Sequence, residues 1–382
     1  MKRSVTLILI FALCAAVCLA SCGGGQGHPL YVHDTYRHES LTAKFLSSDS
    51  GDTIQVTMKK TGEDDGGAIF SCAADTARFD RVIIDNGEKE TVQLAFNEYV
   101  SGWELNSLGA SPYTCGGANE TPAYTRVQFP YENRTKDILI WTPADYDAQG
   151  EPYSVIYMTD GQNLFKPDAT STGSWGVAES AEAMASLSGN RLIIVGAENA
   201  DGYRDEELTP NIGETGQPGY EDGHGAYFSD FIVKTVVPYI EEHYNVYTDR
   251  AHKAICGSSS GGIESFYIGM ENPDQFGTIG ALSPAFGLFD TAVWDAYLSQ
   301  KDFSAGYPFV YIYNGASDDL ERWLLDGAQA MPYSLKKIGY PQEQITVKIY
   351  DQGVHNERCW RAVFPDFLKY MFLAENTEQE KE

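Results

Sequence analysis

The residues with the clearest chemical potential lie in one short run, His252 to Gly262, reading HKAICGSSSGG. Ala254, Ile255 and Cys256 read as the end of a buried strand, and residues 257–261 give Gly-Ser-Ser-Ser-Gly directly after it. Phe266, Tyr267 and Met270 follow at helical spacing. A Gly-x-Ser-x-Gly step between strand and helix is what a sharp turn displaying one serine hydroxyl requires. The flanking positions want glycine because a Cβ there would collide with the turn. On this reading Ser259 is a nucleophile, and the N–H of Ser260 at the new helix start is a donor to a developing oxyanion.

Serine attacks only when a base takes its proton, and the base must be oriented and charge-balanced by an acid. In the hydrolase order these partners follow the serine as acid and then histidine, each just past a strand. Of seven histidines (28, 33, 38, 224, 243, 252 and 355), His355 alone lies beyond both the serine turn and an acidic loop. It stands directly after the apolar run 345–350. The acidic loop follows the run 309–313 and offers Asp318, Asp319 and Glu321, of which one can face the imidazole. A second oxyanion donor is expected from the loop after residues 154–158, at Gly161 or Gln162. No cluster has metal-ligand spacing, and no cofactor is called for.

The elements that must hold these groups alternate. Residues 136–143, 154–158, 191–196, 254–256, 280–282, 309–313 and 345–350 read as buried strands with helical segments between them. One such helix is expected over 175–184, and another carries Phe228, Phe231, Ile232, Val236 and Ile240 on one face. That pattern predicts a mostly parallel sheet with helices on both faces. Residues 199–225, rich in Gly, Asp, Glu and Pro, form a long loop over it. Before this region, residues 29–118 read as short strands of a small β-sandwich, with alternation over 53–58, 79–84 and 91–96. Tyr99, Trp103 and Tyr113 are its candidates for stacking on sugar rings.

Residues 1–21 read as a signal peptide: Lys2 and Arg3 precede an apolar run from Val5 to Leu19. Leu19-Ala20-Ser21-Cys22 resembles the bacterial lipobox, so Cys22 is the expected lipid-bearing residue and 22–28 a flexible tether. The expected location is therefore outside the cytoplasm, anchored to the membrane through that lipid alone. A Cys72–Cys115 disulfide is permitted there, whereas Cys256 and Cys359 read as thiols. The 382 residues carry a formal charge of −27, which sets the chain against nucleic acid. The expected division is 29–118, a catalytic domain over 119–375, and an acidic tail over 376–382.

The catalytic region resembles the esterase D, enterochelin esterase and feruloyl esterase branch of the α/β-hydrolases. The resemblance rests on Asp160-Gly161-Gln162-Asn163, Arg204 with Glu207-Leu208-Thr209-Pro210, the Ser259 turn, Leu282-Ser283-Pro284, Gly315-Ala316-Ser317-Asp318, and Gly353-Val354-His355-Asn356-Glu357 with Trp360. It implies Ser259 as nucleophile and His355 as base, and it favours Asp318 as the acid. It also places Asp160, Asn163, Arg204, Glu207 and Trp360 near the substrate. Ser260 and Val354 depart from the family's usual methionine and glycine. The implied activity is ester hydrolysis through an acyl-enzyme, on acetyl or feruloyl groups of polysaccharide or oligosaccharide. The segment 78–94 resembles starch-binding-type modules, in keeping with a sugar-bearing substrate. A siderophore lactone esterase and a silent, lipid-anchored binding protein are the competing readings.

Overall fold

The computed structural model describes residues 27–63, 66–96, 102–112, 123–166, 169–199, 202–218, 220 and 223–379. Cys22, Tyr99, Tyr113 and Cys115 lie outside the described residues. The chain divides into two compact units, residues 1–120 and 121–382.

The described residues of the first unit form nine short strands in two sheets. One runs β4 (Lys59–Glu63), β5 (Ala68–Ala74), β1 (His28–Asp34), β8 (Gly102–Asn106), β9 (Gly109–Pro112). The other runs β3 (Thr53–Thr57), β2 (Thr42–Leu46), β6 (Arg81–Asp85), β7 (Leu94–Ala95). Alternation along β2 and β6 turns Ala43, Phe45, Val82 and Ile84 inward. Leu30, Val32 and Phe70 of the facing sheet are also buried, which gives the unit its core. Trp103 belongs to that core: it is 4% exposed, and its indole N–H donates to Ala95 O on the other sheet at 3.1 Å. It is therefore not a sugar platform. The alternation over 91–96 yields only the two-residue β7. A turn closed by Asn86 N–H to Lys89 O uses up the preceding residues, and Thr91 is spent on main-chain and side-chain bonds to Ile84.

The second unit is organised on an eight-stranded sheet. Its order is β10 (Thr125–Tyr131), β11 (Arg134–Trp141), β13 (Leu192–Ala197), β12 (Ser154–Met158), β14 (Lys253–Ser258), β15 (Thr278–Leu282), β16 (Phe309–Gly315), β17 (Ile345–Tyr350). β10 and β11 pair antiparallel, as do β11 and β13; from β13 to β17 every pair is parallel. β12 to β16 are almost wholly buried, as continuous apolar strands between two helical layers must be.

The helices are α1 (Val177–Ser188), α2 (Arg204–Glu207), α3 (Gly225–Phe231), α4 (Val237–His243), α5 (Ser260–Glu271), α6 (Thr291–Leu298), α7 (Asp319–Lys337) and α8 (Glu357–Gln379). A π-helical step over Ile232–Val236 joins α3 to α4. α1 starts two residues later than its sequence suggests, because Gly176 takes a left-handed conformation (φ 55°) just before it. The long loop over 199–225 contains α2, which lies against the serine turn. No described helix is long and apolar enough to cross a membrane.

Candidate active site

The Ser259 turn forms where β14, a central parallel strand, must reverse into α5. Ser259 takes φ 58° and ψ −124°, a region that L-residues seldom occupy. Main-chain bonds hold it there: its N–H donates to Leu282 O at 3.0 Å, and its carbonyl accepts from Gly262, Ile263 and Ala285 at 3.0–3.2 Å. Its hydroxyl makes no capping bond to the helix and is left for other chemistry. A Cβ on Gly257 would overlap Thr159 Oγ1 and the Gly261 carbonyl; one on Gly261 would overlap Thr159 Oγ1 and come within 2.8 Å of Asp160 Oδ2. Both glycines are thus required by close approach. Ser260 is the first residue of α5, where an N–H has no acceptor within the helix.

His355 follows β17 and faces the end of β16. Its ring Nδ1 lies 3.2 Å from Glu321 Oε1, so the N–H that donates to that carboxylate leaves Nε2 with the basic lone pair. Glu321 is fully buried. Its Oε1 also accepts from Ser283 Oγ at 2.6 Å, and Oε2 accepts from Gly315 N–H at 2.9 Å. Trp360 donates Nε1–H to the same Ser283 Oγ at 3.0 Å and meets the imidazole edge-on, with ring centroids 5.0 Å apart. A line of contacts from Trp360 through Ser283 and Glu321 therefore ends on His355.

The carboxylate favoured by the family resemblance does something else. Asp318 Oδ2 accepts the main-chain N–H of His355 at 2.6 Å, while Oδ1 caps α7 through Glu321 N–H at 2.8 Å. Burial alone would raise this carboxyl, but those two N–H donors hold it below the usual carboxylate range. Asp319 pairs with Arg322 in solvent. Of the three acids offered by this loop, Glu321 is the one on the ring. Asp318 and Glu321 stand as N-cap and N3 of α7, a spacing that does not by itself tell which carboxylate meets the ring.

The other expected site residues sort by burial. Asp160 takes φ 55° and opens the short 3₁₀ turn Gly161–Asn163. It is 3% exposed, and both its oxygens face Arg204, with Nε at 2.6 Å and Nη2 at 2.8 Å. Arg204 Nη2 reaches on to Ser258 O at 3.4 Å, so this pair braces the serine turn from behind. Gly161 packs so closely on Gly196 that a Cβ would meet main-chain atoms at 2.7 Å. Gln162 accepts Asn199 N–H through its side chain. Asn163 donates to Glu357, whose other oxygen takes the Thr170 hydroxyl at 3.0 Å, tying the 161–173 loop to α8. Glu207 does not face a substrate cleft directly above the serine; it is 2% exposed and pairs with Lys136 at 2.5 Å. Trp360, 5% exposed, sits behind the imidazole. Two groups given no role from the sequence complete the surroundings: Ser283, and Asp205, whose Oδ1 accepts the Ser260 hydroxyl at 3.0 Å. Among the described residues no group of three or more His, Cys, Asp or Glu is placed to hold a metal ion.

A parallel sheet, a strained serine after its central strand, and a carboxylate-bound histidine beyond its last strand define the α/β-hydrolase class. Within it the chain belongs to the family described as "Putative esterase", whose model matches residues 131–371. The family match, with its esterase relatives, supports a carboxylic ester hydrolase. The uncharacterized protein YbbA of Bacillus subtilis is 23% identical over 240 residues, 61% of this chain and 91% of that protein. The enterobactin esterase FES of Shigella flexneri shares the fold over 90% of this chain and 92% of its own, at 13% identity and a TM-score of 0.52. A ferulic acid esterase of Anaeromyces mucronatus is similar over 68% of this chain and 94% of its own, at 20% identity and a TM-score of 0.50.

Proposed function

We propose that the protein is a serine esterase that removes acyl groups from an uncharged, sugar-bearing ester, working outside the cytoplasm on a lipid carried by Cys22. Two observations support the chemistry: a serine held at φ 58° after the central strand, and an imidazole past the last strand whose Nδ1 lies on a buried carboxylate. In the proposed reaction Ser259 Oγ bonds to the ester carbonyl carbon as its proton passes to His355 Nε2. Glu321 orients the ring and balances its charge. The oxyanion rests on the N–H of Ser260 and one from Gly161 or Gln162. As the tetrahedral centre collapses, the ester C–O bond breaks and the alcohol leaves with the proton from Nε2. A water then gives its proton to Nε2, attacks the acyl carbon, and releases the acid as Ser259 recovers its hydrogen.

Charge favours a neutral substrate. Arg204, a cation that reaches the serine turn, is committed to Asp160, and Asp205 places a carboxylate beside Ser260. A polyanionic siderophore would meet repulsion rather than a basic clamp. Leu320 and Trp323, 45% and 43% exposed on the first turns of α7 beside Glu321, supply apolar surface for an acyl group. The test is labelling by a fluorophosphonate together with release of acetate or ferulate from acylated xylan. Both should vanish in Ser259→Ala; labelling that survives, or trilactone cleaved in preference to xylan esters, would reject the assignment. Labelled palmitate should enter the expressed chain and fail to enter Cys22→Ser.

A further inference from the structure

On the far side of α2 from Ser259 lies a cavity of about 300 Å³, bounded by the β10–β11 turn and by α2 itself. Arg134 and Tyr203 form its wall, with the guanidinium 4.9 Å from the centre of the Tyr203 ring. That ring is 52% exposed, so it is held in place yet open to solvent. Glu132, in left-handed conformation at φ 52°, binds Arg134 at 3.1 Å and His224 at 3.3 Å. Glu206 and the buried Glu207 complete the lining. The Nε–H of Arg134 is buried and has no acceptor among the described residues.

These features select a ligand class. Arg134, the cation of this lining, is already matched by the Glu132 carboxylate, which disfavours an anion. A mainly polar lining disfavours an apolar ligand. What remains is a neutral polyol: its hydroxyls donate to Glu132 and Glu206, while its C–H face lies on the exposed Tyr203 ring. The four residues of α2 serve both sides, since Arg204 and Asp205 touch the serine turn while Glu206 and Glu207 face the cavity. The two sites are therefore separated by about one helix diameter, on the order of 10 Å.

We infer that this cavity is a glycan subsite that grips an unesterified sugar of the same chain whose acyl group is presented to Ser259. The inference rests on the sugar-ester reading above, and binding separates the two because it needs no turnover. Xylohexaose is titrated by calorimetry into the full chain carrying Ser259→Ala. Binding should weaken at least about tenfold when Tyr203→Ala is added, in line with loss of one central aromatic contact, and return with Tyr203→Phe, which restores the ring. Failure of xylohexaose to bind, or equal binding with and without the ring, overturns the subsite. If it binds as described while wild-type protein leaves acetylated xylan intact, the subsite stands and the ester assignment falls.

Discussion

Glu321 and Asp318 stand three residues apart and divide one task between them. Glu321 presents a carboxylate oxygen to the imidazole, and Asp318 presents one to the main chain of the same histidine. The first contact decides the tautomer and the charge balance of the base; the second decides only where the base stands. Loss of the orienting acid should cost far more than a slackened loop. We expect Glu321→Gln to lower kcat about 10³–10⁴-fold and Asp318→Asn to lower it about tenfold. Steady-state kinetics on an aryl acetate decide the matter, and a larger loss in the asparagine variant would return the acid role to Asp318. The strained turn at Ser259 and the place of His355 past β17 were legible in the sequence because each has one residue of the right type at the right place. The acid was not, because three carboxylates fall within four positions. Which of them meets the ring depends on rotation about the first turn of α7.

The serine turn shows how an element is fixed by what packs behind it. Gly257 and Gly261 both face Thr159, but their second neighbours differ. A methyl at Gly257 is opposed by the carbonyl of Gly261, which is main chain, whereas the close neighbours of one at Gly261 from outside the helix are side-chain atoms of Thr159 and Asp160. Side chains give way where backbone does not. Each Gly→Ala change should therefore destabilise by about 2 kcal/mol or more. Adding Thr159→Ala should recover a good part of the loss at 261 and little at 257. Urea midpoints at constant m-value measure this, and equal recovery at both positions would contradict the packing argument. The strands from β11 to β17 were legible because their buried runs are continuous and apolar. The bracing of the turn by Asp160 and Arg204 was not, since the two residues lie 44 positions apart and meet only once α2 folds down.

Stability of the whole unit carries the signature of one acid that the proposed reaction does not use. Glu264, on α5 five residues past the nucleophile, is completely buried, and neither carboxyl oxygen has a hydrogen-bond partner among the described residues. Burial first, and then the neighbouring Glu207 and Glu271 charges, push its carboxyl well above the usual range. The folded protein therefore keeps a proton at Glu264 that the unfolded chain releases near pH 4.3. Above that pH the native state binds more protons than the unfolded one, so this group makes stability fall as pH rises, by at most about 1.4 kcal/mol per pH unit. The fall continues until the folded protein also loses the proton. Glu264→Gln removes the titration while keeping the shape. Its unfolding free energy should decline less than that of wild type between pH 5 and pH 8, the two curves approaching each other at the acid end. Denaturation at a series of pH values reads the difference directly, and parallel curves would mean that Glu264 is ionised in the fold and paired after all.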